Sequence, residues 1–408
     1  MSFKYFSGSG QLLTCEQTSL KQVSNMTASF PPPEALIHAL AERSAGRTGG
    51  PPPLQVKIPA AAYTDEDRFH KEHQRLIMGK PVIVGHESQI PDPGDTLVYD
   101  WLGLPIITIR NTQGEIGSFL NVCRHRGMRL LEEEGQSCQR SLVCPYHQWT
   151  YGLDGALRNI PLQESFGDIN PAEFGLKPVP TEVRAGMIWV LAQPGGTMDL
   201  ESHLAGLDAE VERFGLGQSQ FHRQSVKRVP ANWKLIQDAF LDGYHVVRLH
   251  KNTVGPFFPD SMAESDWIGD HIRNAVARNE ITEAVDQPQE GLDLRHHATF
   301  SYTVFPNSVL VMHPEYTSIM SFFPQSVDET LFVHSMMTPR APKNEEERAH
   351  FERSFELIDR GVFEAEDIRV CIGAQKGLRS GANDGLLFGG FESWAVNFHR
   401  RVEEYLQD

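Results

Sequence analysis

The sequence predicts an α+β protein: a small all-β domain, then a larger domain in which helices pack on an antiparallel sheet. Three observations predict it. The chain has 408 residues, more than one ordinary core accommodates. Residues 82–195 hold short apolar runs broken by turn residues. From residue 196 onward, helical runs and long strands mix, as in a sheet with helices packed on it.

Taken in order, residues 1–55 carry SGSG, PPP at 31–33 and GRTGGPPP around a short helical run at 33–44. They read as an N-terminal extension of linker character, partly flexible. Met26, just before the prolines, is a second candidate start. Thr64 with Asp67 three residues on resembles a capping box. It opens a helix to about Met78 that carries Phe69, Leu76 and Ile77. VIVGH, TLVYDWL, PIITIR, IGSFLNV, LRNI and MIWVLA read as strands, with a hairpin turn at Asn111–Gly114. Further on, NWKLIQDAFLDGYHVV reads as a helix. FSYTVFPNSVLVMH, YTSIMSFFPQ and TLFVHSMMT read as strands, and residues 344–378 as one long helical region, broken near Gly361.

Hydrophobic residues make up 40% and charged residues 22%, the balance of a water-soluble globular chain. A net charge of −16 argues against nucleic acid or an anionic membrane bound through a broad basic face. No window approaches the roughly 18 apolar residues of a membrane span. The N-terminus lacks the apolar core of a secretory signal. The five cysteines, Cys15, Cys123, Cys138, Cys144 and Cys371, are too sparse for a disulfide framework and point to a reducing cytoplasm. Cys138 reads as a loop residue. Cys15 and Cys371 have no metal-ligand partners at suitable spacing.

CRHRG at 123–127 is answered by CPYH at 144–147. Each pair follows a short apolar run, so two hairpin tips could present Cys123 with His125 opposite Cys144 with His147. A Cys₂His₂ zinc site groups its cysteines before its histidines, which fits the alternation poorly. Two thiolates on one iron and two imidazoles on the other, as in a Rieske [2Fe–2S] centre, fit it well. NVCRHRG followed by CPYHQWTYGLDGAL resembles the Rieske domain of the Rieske non-haem iron oxygenases. Gln148 stands where many relatives have Gly. Trp149 and Tyr151 read as packing residues of the small domain.

A second cluster, ANWKLIQDAFLDGYHVVRLH at 231–250, holds Asp238, Asp242, His245 and His250. Asp242 and His245 share a helical face. His245 and His250 would lie about 140° apart on a regular helix. Either the helix ends between them or it carries a π-type bulge. NWK, DxYH and a His five on resemble the mononuclear-iron motif of the same oxygenases. The resemblance implies His245 and His250 as ligands of Fe(II) in a two-His-one-carboxylate triad. It makes Asp242 the carboxylate bridging a cluster histidine and His245. The third ligand would come from EAEDIRVCIGAQKGL; Asp367, eight residues before Gln375, is preferred over Glu366 and Glu364. Relatives often have Glu-Asn where this chain has Gln237-Asp238, which places Asp238 beside iron and substrate.

The resemblance covers roughly Tyr63 to Leu406. It implies a Rieske domain at 82–195 and a helix-grip-like catalytic domain at 196–408 that also takes in the helix at 56–81. It implies an oxygenase terminal component, an alpha subunit of the aromatic ring-hydroxylating type, using a [2Fe–2S] cluster, Fe(2+) and O2. Electrons would pass from His125 or His147 across Asp242 to His245, most simply between subunits of a homotrimer, with or without a small beta subunit. GSGQ at 8–11 lacks a third glycine, so NAD(P)H would act through a separate reductase or ferredoxin. Asp at 242, where relatives acting on quaternary amines have Glu, favours an aromatic substrate, with Asp238, Ala239, Val246, Phe305 and Phe322 as pocket candidates. The alternative is a choline-, betaine- or carnitine-like amine in an aromatic cage of Trp267, Phe257 and Phe258. A Rieske electron-transfer protein without oxygenase activity is the non-enzymatic alternative.

Overall fold

A computed structural model describes residues 30–132, 140–289 and 291–407. Met26, the SGSG stretch, Cys15 and Cys138 lie outside the described residues.

Alternating apolar residues make the small domain. Thr96–Tyr99, Ile106–Arg110, Ile116–Leu120 and Pro178–Val179 form a four-stranded sheet. Asn111–Gly114 turns between two of its strands and pairs Arg110 with Ile116. Beside it lie the three-stranded sheet of Thr181–Arg184, Met187–Val190 and Val82–His86, and the small sheet of Leu142–Val143, Thr150–Tyr151 and Leu157–Asn159. The last of these carries one of the two Cys–His tips.

The larger domain is built on seven antiparallel strands. Their spatial order is Gln220–Val229, Glu329–Thr338, Thr317–Ser326, Ser308–Met312, Ala298–Val304, His271–Ala277 and Ala263–Ile268. The three central sequence runs form near-continuously buried strands because both faces are covered. The helices Trp233–Phe240, Arg369–Arg379 and Ser393–Gln407 contribute to the core on one side, through Trp233, Cys371, Leu378 and Phe398.

Three expectations change. The helical run Pro33–Ser44 forms as read, but it is not a loose extension. Leu36, Ile37, Leu40 and Ala41 are buried against the sheet, and Arg43 binds the Ala263 carbonyl and Glu264. The helix expected from Thr64 is capped one residue later, by Asp65 accepting from the Arg68 amide at 2.7 Å. Its segment joins the larger domain: Val56–Pro59 pairs with Gly385–Phe388, and Tyr63 and Leu76 lie in the core with Trp233. The long C-terminal helical run does not break at Gly361. It continues from Glu345–Glu356 through a π-helical stretch, Leu357–Ile368, into Arg369–Arg379. Among the described residues no helix is long and apolar enough to cross a membrane.

Candidate metal centres

The two Cys–His tips meet at the end of the small domain. The Cys123 amide donates to the Met128 carbonyl and the Gly127 amide to Cys123, closing one turn. Cys144 is closed likewise by Trp149 and Gln148. Gln148 sits at φ 59°, the left-handed region where glycine is at ease. Cys123 and Cys144 are buried, and the rings of His125 and His147 lie 4.7 Å apart. Nδ1 of both histidines is buried without a hydrogen-bond partner. Two orphaned imidazole nitrogens and two buried thiols on adjoining tips are what a bound [2Fe–2S] cluster would satisfy. Burial pushes the Cys123 thiol up, and Cys144 beside it adds to the shift. Burial, the His147 ring and Arg126 lower His125, so its imidazole favours the neutral, metal-binding form.

Trp149 and Tyr151 do more than pack. Trp149 stacks on His125 at 4.9 Å. The Tyr151 hydroxyl lies 3.4 Å from Cys123 Sγ and accepts from the Arg124 amide.

In the larger domain the helix Trp233–Phe240 stops before Asp242, and a single turn, Val246–Leu249, follows. His245 caps that turn at one end and His250 at the other, so five residues of separation bring both rings to one point. The helix ends, as one of the two sequence readings required. The π-helical stretch appears opposite, where it delivers Asp367. His245 Nε2 and His250 Nε2 are 3.2 Å apart. Asp367 Oδ1 lies 3.2 Å from His250 Nε2 and 3.6 Å from His245 Nε2. These three ligand atoms lie within 4.8 Å of one another. Asp367 Oδ1 is buried with no hydrogen bond of its own. Two imidazoles and one carboxylate converging on one point can hold a divalent cation and leave it open positions.

Glu366 faces a different atom. Its carboxylate meets His250 Nδ1 and accepts from the Thr253 hydroxyl, both at 2.7 Å. Burial alone would lower His250, but Asp367 and Glu366 outweigh it and raise its pKa. Asp242 lies 3.3 Å from His245 Nδ1 and accepts from the Tyr244 amide at 2.6 Å. Glu364 is turned toward Lys227 at 3.3 Å.

A cavity of about 310 Å³ opens on this triad. Ala239 and Val246 line it, with the rings of Phe240, Phe257, Phe258, Tyr316 and Phe363. Arg278 is the one lysine or arginine among its lining residues. Four sequence candidates lie elsewhere. Asp238 is buried away from the cavity, accepting from the Tyr63 hydroxyl at 2.6 Å and meeting His399 Nε2 at 3.0 Å. The polar pocket partner expected of it is replaced by this internal one. Phe305 and Phe322 are fully buried core residues. Trp267 stacks against Trp394 and is not a cage wall. Sequence reasoning missed Arg278 and Tyr316, which reach the cavity from beside distant strands and leave no local spacing signal.

The family model described as Rieske [2Fe-2S] domain matches residues 80–180. That described as ring hydroxylating alpha subunit (catalytic domain) matches residues 216–408. The carnitine monooxygenase oxygenase subunit of Escherichia coli (strain K12) is 28% identical over 332 residues, covering 79% of this chain and 84% of that protein. The glycine betaine monooxygenase oxygenase subunit of Pseudomonas aeruginosa (strain UCBPP-PA14) is 35% identical over 226 residues, 55% of this chain and 50% of that protein. A solved quaternary ammonium Rieske monooxygenase shares the fold, with a TM-score of 0.74 at 20% identity over 86% of this chain and 95% of its own. The chain therefore belongs to the Rieske non-haem iron oxygenases, as an alpha subunit joining a Rieske [2Fe–2S] domain to a ring-hydroxylating catalytic domain.

Proposed function

We propose that the chain oxygenates a small quaternary amine that also carries a carboxylate. The observation that carries this reading is Arg278, whose guanidinium shares one cavity with five aromatic rings and the His245–His250–Asp367 triad. Aromatic faces attract a quaternary ammonium, and a guanidinium matches a carboxylate. The Arg278 guanidinium lies about 6 Å from the ring centres of Phe257 and Phe258 and its Nε 3.5 Å from Glu280, so its remaining N–H groups are left for a carboxylate, and Phe240, Tyr316 and Phe363 for the ammonium. The similarity to carnitine and glycine betaine monooxygenases supports it. The aromatic reading rests on one observation, aspartate rather than glutamate at 242.

In this reading Cys123, Cys144, His125 and His147 hold the cluster, and His245, His250 and Asp367 hold Fe(II). When bound, these groups relay single electrons and activate O2. Glu366 fixes the His250 ring. Asp242, 3.3 Å from His245 Nδ1, would bridge it to a cluster histidine of a neighbouring subunit. A homotrimer is supported by two exposed apolar patches: Tyr146, Leu162 and Phe166 around the cluster tips, and Tyr244 with Phe391 beside Asp242. Residues 82–195 form the electron-accepting unit and 196–408 with 56–81 the catalytic one. A separate reductase supplies the electrons.

Oxygen uptake by the reduced protein with glycine betaine, L-carnitine and γ-butyrobetaine, beside benzene and benzoate, tests this. Uptake coupled to product with an amine supports it. Coupling with an aromatic compound alone overturns it.

A further inference from the structure

The cavity beside the triad is not walled by apolar rings alone. His313 lines it, its ring stacked on Tyr316 at 4.4 Å. Which of its two ring nitrogens carries the proton decides what this wall can bind. A buried line of side chains behind His313 makes that choice.

We propose that His313 is a specificity-determining residue: its Nδ1 is a fixed hydrogen-bond acceptor that selects a substrate carrying a hydroxyl. The inference rests on this cavity being the substrate site and refines the amine reading of it. The preferred zwitterion is then a hydroxylated betaine.

The line starts at Asp359. It accepts from the Lys227 ammonium, from the Ser225 hydroxyl at 2.5 Å and from His334 Nδ1 at 2.9 Å. Burial alone would raise the Asp359 pKa, but His334, Lys227 and Ser225 outweigh it and hold the carboxyl well below the usual carboxylate range. An ionised carboxylate only accepts, so the His334 proton is fixed on Nδ1. Burial lowers His334 although Asp359 opposes it. The ring is neutral, and Nε2 carries a bare lone pair. Ser318 Oγ lies 3.1 Å from that nitrogen and 3.2 Å from His313 Nε2. Ser318 and His334 are fully buried, where an unpaired polar atom is costly. A hydroxyl has one proton, and Ser318 donates it to His334 Nε2. His313 therefore donates from Nε2 to Ser318 Oγ, and its Nδ1 is left without a proton. Burial, with His334, Arg295 and Arg278 adding to it, pushes His313 down to about 3, so Nδ1 stays bare at neutral pH.

Rigid parts hold this arrangement. Ser225, His334 and Ser318 sit on three neighbouring strands, Gln220–Val229, Glu329–Thr338 and Thr317–Ser326. The His334 ring lies parallel to Phe355 and edge-on to Phe363, both at 5.1 Å. The acceptor at His313 cannot turn into a donor. Thr299 and Ser301 also line the cavity, but a hydroxyl rotates to donate or to accept and discriminates less. A substrate hydroxyl donates to His313 Nδ1. A substrate without one leaves that nitrogen unpaired beneath it, which is how a polar site rejects an analogue lacking the group. The Arg278 charge acts on the same ring, so the hydroxyl and carboxylate sites adjoin.

L-carnitine and γ-butyrobetaine differ by one hydroxyl, and calorimetry on the oxidised holoenzyme gives a Kd for each. The parent should favour L-carnitine. His313→Phe keeps a ring against Tyr316 and removes the acceptor, so the preference should fall at least about tenfold. His313→Asn puts an amide oxygen where Nδ1 stood and should retain most of the preference, which separates lost recognition from lost folding. If neither amine binds, the amine reading fails by itself, and benzyl alcohol against toluene, a pair with the same difference, must show the same fall. A neutron structure of the holoenzyme, which needs no substrate, should place the His313 hydrogen on Nε2. A preference unchanged by His313→Phe, or a hydrogen on His313 Nδ1, overturns the proposal.

Discussion

The Glu366 carboxylate meets His250 Nδ1 at 2.7 Å while Asp367 Oδ1 stands 3.2 Å from Nε2 of the same ring. Consecutive acidic residues thus grip one imidazole from opposite sides. The π-helical path of Leu357–Ile368 makes this possible, since its wider turn presents both side chains toward His250. A carboxylate behind a metal-binding imidazole fixes its tautomer and raises its basicity.

The two acids therefore separate by mutation. Glu366→Gln should weaken iron binding about 10–100-fold, the usual cost of losing a partner behind a ligand. Asp367→Ala should abolish it. Iron titration of the apoprotein, followed by iron content after gel filtration, measures both. Equal losses from the two variants would contradict the division of labour.

Asp242 touches His245 Nδ1 at 3.3 Å and no cluster histidine of its own chain. Asp242→Asn should leave both metal centres loaded yet slow oxidation of the reduced cluster by O2 and substrate about 10–100-fold. Stopped-flow absorbance of the cluster follows it. An unchanged rate would remove Asp242 from the electron path.

Gln148 holds a left-handed backbone at φ 59°. Replacing it with glycine relieves that strain but adds chain entropy on unfolding, for a net gain of about 0.5–1 kcal/mol. The cluster of Gln148→Gly should bleach more slowly on heating, with an unchanged EPR spectrum.

Tyr63→Phe removes the hydroxyl that donates to Asp238. The carboxylate is left with His399 alone, at a cost of about 1–3 kcal/mol. The urea midpoint should fall. Substrate affinity should not, because Asp238 lies outside the cavity. A changed affinity would return Asp238 to the pocket.

Legibility followed locality. Both Cys–His tips, His245 and His250 were visible because ligands on short loops leave a fixed spacing. The hairpin at Asn111–Gly114 and the helix Pro33–Ser44 were visible because turn and breaker residues bound them. Asp367 could be ranked over Glu366 only by resemblance, since a π-helical path changes which residue faces inward and periodicity assumes a regular helix. Asp238 was misplaced because its partners, Tyr63 and His399, lie 175 and 161 residues away. Arg278 and Tyr316 were invisible for the same reason: they reach the cavity from beside distant strands, and no stretch of sequence contains both.

Iron and acid-labile sulfide analysis of the purified protein, beside its His245→Ala variant, tests the two-centre account most directly. The account predicts about three irons and two sulfides per chain, with the variant losing one iron and keeping its cluster spectrum. Two irons in both proteins, or zinc without sulfide, would contradict it.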